Sequence, residues 1–218
     1  MSYGIHPIAG IIAAFARSIS GVQIHWAGCQ PDATQRIYFA NHTSHLDFVV
    51  LWSALPSEAR ALVRPVAAKD YWDKGIRAYL AQKVFHAVLV RRGGASQARD
   101  SEQALIEARA LIDQLVDALG DSGSLILFPE GTRGTGETIS PFRSGLYYLA
   151  KKRPDVELVP AYLENLSRIL PKGEVIPMPR RSSLTFGKPL HIEESETKEA
   201  FLTRAHAALQ ALQPKGQS

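Results

Sequence analysis

The sequence predicts a single-domain α/β sandwich around a mostly parallel central sheet, led by an N-terminal amphipathic helix. Three observations carry this. Short apolar runs of strand length alternate with stretches of helical period along most of the 218 residues. A composition of 45% apolar and 21% charged residues is that of a globular chain with a sizeable core, which excludes wholesale disorder and collagen-like or coiled-coil architectures. No internal repeat or long linker interrupts the alternation, so residues 1–20 read as the leading helix and 21–218 as one domain.

Ile5, Ile8, Ile12, Phe15 and Ile19 recur every three or four residues, with Pro7 in the first turn, and predict that leading helix. Its apolar run from Ile8 stops at Arg17, short of the roughly 18–20 residues a membrane span needs. It also lacks the basic flank and cleavage site of a signal peptide. Two uses are open to the stripe: burial against the domain, or insertion into a bilayer interface. Val22–Trp26 and Arg36–Ala40 follow as strands, and Leu46–Ala54 is helical in pattern and closes before Pro56. Arg64–Ala68 reads as a strand, Trp72–Val84 as an amphipathic helix, and Ala87–Val90 as a strand broken by Gly93 and Gly94. The clearest helix runs from about Ser96 to Leu119. Leu105, Ala108, Ile112, Leu115 and Leu119 form its stripe, acids line the other face, and Gly120 is its stop. Ser124–Phe128 is a wholly apolar strand ended by Pro129. Beyond a Gly-rich loop come a helix at Ser144–Lys152, strands at Glu157–Tyr162 and Leu184–Phe186, and a closing helix at Thr197–Leu212.

The net charge of +4 is too modest to argue for nucleic acid. Cys29 is the single cysteine, which excludes a disulfide framework and every multi-cysteine metal site and fits a reducing cytosol. The distribution of charge says more than its total. Arg60–Arg99 holds nine basic residues against two acidic ones, and Asp100–Ser122 one against six. Such blocks suit solvated faces or, for the basic one, a surface that meets anions. Trp26, Trp52 and Trp72 read as packing, Trp72 with a second use open to it. Tyr71-Trp72, flanked by Lys69, Lys74 and Arg77, has the make-up of an interfacial anchor.

Chemistry-bearing residues gather after three of the predicted strands, where open α/β sheets place their sites. Asn41-His42-Thr43-Ser44-His45-Leu46-Asp47 follows the first. A loop-to-helix junction brings His42 against Asp47, so that the carboxylate holds the proton of one ring nitrogen and the other nitrogen accepts one. No serine or cysteine is obliged to be the nucleophile, which leaves the activated hydroxyl to a substrate. A structural His–Asp cap explains the same pattern. Phe128-Pro129-Glu130-Gly131-Thr132-Arg133 follows another strand, with a glycine for close backbone approach and an arginine fork suited to phosphate. Arg91-Arg92 follows a third. Together they describe hydroxyl activation beside a bound phosphate. A metal-dependent hydrolase using His42, His45 and Asp47 is the rival reading from another class. A nucleotide or lipid binder built on Gly131, Gly134 and Gly136 lacks the Gly-Lys-Ser/Thr entry into a helix.

These residues resemble the lysophosphatidic acid and glycerolipid acyltransferases. Asn41, His42 and Asp47 match that family's Asn-His-four residues-Asp block, and Phe128 to Arg133 matches its Phe-Pro-Glu-Gly-Thr-Arg block without a change. His86 to Arg92 resembles its second block, with Arg92 the aligned arginine and His86 where the family has glycine. Ala68-Lys69, Phe142-Arg143-Ser144-Gly145 and Val159-Pro160 resemble further segments, so the likeness spans about residues 35 to 190. The resemblance implies that residues 21–218 are the acyltransferase domain. It implies acyl transfer from acyl-coenzyme A or acyl carrier protein to a lysophospholipid hydroxyl, foremost 1-acylglycerol 3-phosphate giving phosphatidate. Another lysolipid or glycerol 3-phosphate is the alternative acceptor. His42 is then the general base and Asp47 its orienter. Arg133 and Arg92 grip phosphate, with Glu130, Gly131 and Thr132 shaping that pocket, and no metal or other cofactor takes part. With no span in the sequence, attachment to the cytoplasmic face of a membrane would be peripheral.

Overall fold

The computed structural model describes residues 7–44, 47–91, 101–136, 138–166 and 182–214. Its centre is a seven-stranded sheet: β1 (Gln23–Trp26), β2 (Arg36–Ala40), β3 (Val63–Ala68), β4 (Val88–Val90), β5 (Ser124–Leu127), β6 (Glu157–Glu164) and β7 (Ser183–Phe186). The order across the sheet is β1-β7-β6-β2-β5-β3-β4. Every neighbouring pair is parallel except β6 with β7. The predicted α/β fold with a mostly parallel sheet is the observed one. Eight α-helices are described: α1 (Pro7–Ser20), α2 (Asp47–Ala54), α3 (Ser57–Leu62), α4 (Lys69–Trp72), α5 (Gly75–Tyr79), α6 (Ser101–Leu119), α7 (Gly145–Lys152) and α8 (Lys198–Gln210).

β2 lies at the middle and is buried along its whole length, so its alternating side chains feed two cores. Tyr38 and Ala40 join Leu51, Trp52 and Phe186 under α1 and α2. Ile37 and Phe39 face the other way, toward Ile112, Leu115, Leu149 and Phe201 of α6, α7 and α8. Arg36 opens the strand from a nearly closed position, its Nε donating to Glu157 Oε2 at 2.8 Å and its guanidinium meeting Asp32 at 2.8 Å. Burial alone would lower that guanidinium, but the hydrogen bond to Glu157 outweighs it and holds the group above its ordinary value. Thr197 caps α8, its hydroxyl accepting from Ala200 N at 3.2 Å.

Two predicted helices differ from what is observed. Trp72–Val84 is not one amphipathic helix. α4 ends at Trp72, Gly75 takes a positive φ of 57° at the start of α5, and Leu80–Val84 is π-helical. Trp72 packs edge-on against Phe48 at 5.1 Å and near Phe85, on the core side, while Tyr71 lies under the Arg77 guanidinium at 4.4 Å. The exposed apolar residues of this stretch are Ile76 and Tyr79.

α1 is the second difference. Its predicted single stripe divides between two faces, and Ile5 lies outside the described residues. Ala9 and Ala13 are buried, with Ile12 and Ile19 packed beside them, because small residues let α1 come close to α2. Ile8, Ile11 and Phe15 point away and are 40, 70 and 64% exposed. Among the described residues no helix is long and apolar enough to cross a membrane.

The two faces of α1 should respond oppositely to substitution. Ala13→Leu overpacks a closed contact and should cost about 1–3 kcal/mol, lowering Tm by roughly 3–10 °C. Replacing Ile8, Ile11 and Phe15 together with serine should leave Tm within about 2 °C. Thermal unfolding followed by circular dichroism checks both.

Candidate active site

Because β2 and β5 are parallel neighbours, Phe39 lies opposite Leu127 and the chain leaves both strands at the same edge. Three residues beyond that pair stand His42, past the end of β2, and Glu130, past the end of β5. The two segments are tied where they meet. His42 N donates to Glu130 Oε1 at 2.8 Å, and Gly134 N donates to His42 O at 2.8 Å. Glu130 is only 5% exposed, and its Oε2 accepts from Ser140 N at 2.8 Å. Expected to shape a substrate pocket, Glu130 has both carboxylate oxygens engaged by backbone N–H groups and acts on the site through His42 and the 134–140 loop.

Asp47 opens α2 and is fully buried. Its Oδ2 lies 2.9 Å from His42 Nδ1 and also accepts from Thr43 N at 2.6 Å and Ser44 N at 2.8 Å. His42, Thr43 and Ser44 thus converge on one carboxylate oxygen. An acceptor already turned toward three donors dictates the tautomer: the imidazole proton sits on Nδ1, which leaves Nε2 as a proton acceptor. The ring stacks on Phe128 with centroids 4.2 Å apart and planes 18° from parallel, and its side chain keeps 19% of its surface exposed. The start of α2 and the end of β5 therefore fix one imidazole, through Asp47 on its edge and Phe128 on its face.

Asn41 supplies a third tie. Its Nδ2 donates to Leu163 O and its Oδ1 accepts from Leu163 N, both at 2.8 Å, which locks the end of β2 to β6. Spacing alone marks His42 and Asp47 but not this role, because Leu163 is remote in sequence.

The loop after β5 turns at Gly131, whose φ of +72° suits glycine and whose N–H donates to Phe128 O at 3.0 Å. Thr132 and Arg133 follow and are exposed. Arg143 returns to the same loop. Its backbone N–H donates to Pro129 O at 2.8 Å, its Nε donates to Glu130 O at 3.3 Å, and its side chain crosses Gly131 where a Cβ would otherwise stand. Sequence reasoning matched Arg143 to a family segment but gave it no role at the site.

Arg92 lies outside the described residues, and Arg91 is exposed at the end of β4. The strand order sets β4 at the sheet edge, three strands from β2 or about 14 Å at ordinary spacing. His86, which stands where the resembled family has glycine, adopts a positive φ of 47°. That is a backbone position glycine fills without strain, and here the His86 carbonyl accepts from Arg64 Nε at 2.8 Å instead. It lies at the start of β4, away from the edge that carries His42. The hydrolase reading gains no support. His45 lies outside the described residues, and among those described no group of three or more His, Cys, Asp or Glu is placed to hold a metal. Burial pushes the Cys29 thiol up, the reverse of what an activated nucleophile needs.

Comparison with known proteins places the chain in a family and a fold. Residues 22–164 match a family model described as acyltransferase. A 1-acyl-sn-glycerol-3-phosphate acyltransferase of Limnanthes douglasii is 25% identical over 193 residues, a match covering 88% of this chain and 61% of that protein's length. Among solved structures, the 1-acyl-sn-glycerophosphate (LPA) acyltransferase PlsC of Thermotoga maritima superposes with a TM-score of 0.67 at 18% identity, over 94% of this chain and 78% of the other. That likeness shows the fold.

Glu130→Ala should destabilise the protein as well as disturb the site. It strips the acceptors from two backbone N–H groups and should cost about 2 kcal/mol or more, a fall in Tm on the order of 4–10 °C. Arg133→Lys, on the exposed arm of the same loop, should leave Tm unchanged. Differential scanning calorimetry of the two variants separates them.

Proposed function

The chain belongs to the acyltransferase family, and from that premise we propose that it moves a fatty acyl group from an acyl thioester to a glycerophospholipid hydroxyl, foremost converting 1-acylglycerol 3-phosphate to phosphatidate. The observation that carries this reading is the joining of a His42–Asp47 pair to an arginine-bearing loop through the backbone of His42 itself. Base and anion grip are thereby held at one distance, as an acceptor with a hydroxyl and a phosphate on one short backbone requires.

In the reaction, Nε2 of His42 takes the proton of the acceptor hydroxyl as its oxygen attacks the thioester carbonyl. Asp47 stabilises the imidazolium that forms. Collapse of the tetrahedral intermediate breaks the carbon–sulfur bond, and the imidazolium returns its proton to the departing thiolate. No covalent acyl-enzyme is formed. Arg133 pairs with the acceptor phosphate, and Thr132 and the Gly131 backbone lie beside it. Arg92 is assigned to the same anion. The donor is acyl-coenzyme A or acyl carrier protein, used as co-substrate without a further cofactor.

An acylated acceptor and product bring the site to a membrane surface. The outward Ile8, Ile11 and Phe15 of α1 provide apolar contact, and Lys69, Lys74 and Arg77 provide charge. Attachment is peripheral, on the cytoplasmic face.

His42→Ala should abolish transfer from acyl-coenzyme A or acyl carrier protein to lysophosphatidate, a loss of roughly 10²–10⁴-fold or more, with circular dichroism unchanged. Asp47→Asn should be nearly as harmful, and Cys29→Ser neutral. Product analysis by mass spectrometry over a panel of acceptors checks the reaction, and a His42→Ala enzyme within a few-fold of the parent refutes it.

Sedimentation with vesicles tests the membrane contact. Binding should grow with the fraction of anionic lipid at roughly 1 kcal/mol per basic residue at the surface, and fall without vanishing at high salt. Serine at positions 8, 11 and 15 should remove the salt-resistant part.

A further inference from the structure

Arg143 occupies a position that a loop-bracing residue alone does not explain. A Cβ built on Gly131 would fall 2.3 Å from its Nε, 2.6 Å from its Cδ and 3.1 Å from its Cζ. The guanidinium is therefore laid across the turn between Glu130 and Arg133 and fills the space that only glycine leaves open. Its Nε is spent on Glu130 O. The side chain is exposed, and no carboxylate among the described residues forms a salt bridge with it. Among the described residues Arg36 is paired with Asp32 and Glu157, Arg153 with Asp155, and Arg204 with Glu196. On the loop that holds His42, an exposed arginine is thus fixed through its backbone and its Nε, and no hydrogen bond or ion pair engages its terminal amino groups among the described residues. The backbone around it is anchored from three directions. Arg143 N donates to Pro129 O, Ser140 N donates to Glu130, and His206 Nε2 contacts Ile139 O at 3.1 Å.

We propose that Arg143 is a second phosphate-binding residue of the site, acting with Arg133 on either side of Gly131 to grip the phosphomonoester of the acyl acceptor. This rests on the acyltransferase reading above and adds to it a specificity-determining residue. Two planar donors set on one rigid turn favour a dianion that presents several oxygens, so the pair selects phosphorylated acceptors against neutral ones. Gly131 then has two duties. Its positive φ forms the turn, and its missing side chain seats the second arginine.

The test measures kcat and KM for the parent, Arg143→Gln, Arg143→Lys and Gly131→Ala with lysophosphatidate and with monoacylglycerol, a neutral acceptor, at varied donor. Arg143→Gln should raise KM for lysophosphatidate roughly tenfold or more. It should leave kcat, the donor KM, monoacylglycerol turnover and Tm little changed. Lysine at 143 should recover only part of the loss, and Gly131→Ala, by displacing Arg143, should share the direction of the glutamine variant. A fall in kcat and Tm with acceptor KM unchanged would make Arg143 a brace and overturn the proposal. A rise confined to the donor's KM would assign the guanidinium to the phosphates of coenzyme A or of the carrier's prosthetic group, and would overturn it as well. If the parent acylates neither acceptor, the acyltransferase reading fails on its own. Competition by inorganic phosphate for the parent and Arg143→Gln proteins, read by isothermal calorimetry, then judges the anion site separately: equal affinities overturn it, and weaker binding to the variant supports it.

Discussion

The peptide of His42 is the joint on which the site depends. Its N–H is held by the Glu130 carboxylate and its C=O by the N–H of Gly134, so both hydrogen-bonding groups of one residue are spent on the loop after the neighbouring strand. A base carried on a loop would ordinarily drift with it. Here His42 is bonded to Asp47 through its ring and to the segment after β5 through its backbone, and the imidazole is set between the ends of two central strands. The sheet order makes this affordable, since β2 and β5 lie side by side and point the same way. Asn41 extends the same logic to β6, by closing its amide on both polar atoms of Leu163. Three parallel strands are thus tied together through Asn41 and His42.

Much of this was legible in the amino-acid sequence because its signals were local. His42 and Asp47 are five residues apart, and a short chain segment can only curl so many ways. Phe128 to Arg133 follows an uninterrupted apolar strand, which marks a strand end without knowledge of its neighbours. The ties between segments were not legible. Glu130 reads as a pocket residue when its partners are unknown, and becomes a brace once the N–H groups of His42 and Ser140 are seen on it. The tie from Asn41 to Leu163 crosses more than a hundred residues, and no periodicity reports it. Arg143 stood in a recognisable segment, but its place over Gly131 depends on how the 134–140 loop returns.

The fold shows the same division. Strand and helix periods placed most elements within a residue or two, the closing helix α8 among them. The misreadings fell where one residue type serves two ends. Isoleucine at helical spacing in α1 looked like one stripe, but the contact with α2 is made through alanines, because close approach of helices needs small side chains more than large ones. In the segment from Trp72 to Val84, apolar spacing continued across Gly75 while the backbone did not, so periodicity overruled a breaker that the structure obeys.

The empty Cβ position at Gly131 has a consequence for how this loop is inherited. Positions 131 and 143 are a single choice written in two places. An alanine at the first evicts the long side chain at the second. A short residue at the second leaves a gap over the turn that a larger residue at 131 cannot fill without strain, because φ there remains left-handed. Substitutions at either place are thus filtered by the other. Drift between related chains should move the pair together or not at all, and a chimera that takes its two halves from different parents with a junction between 131 and 143 inherits the mismatch even when every other contact is preserved.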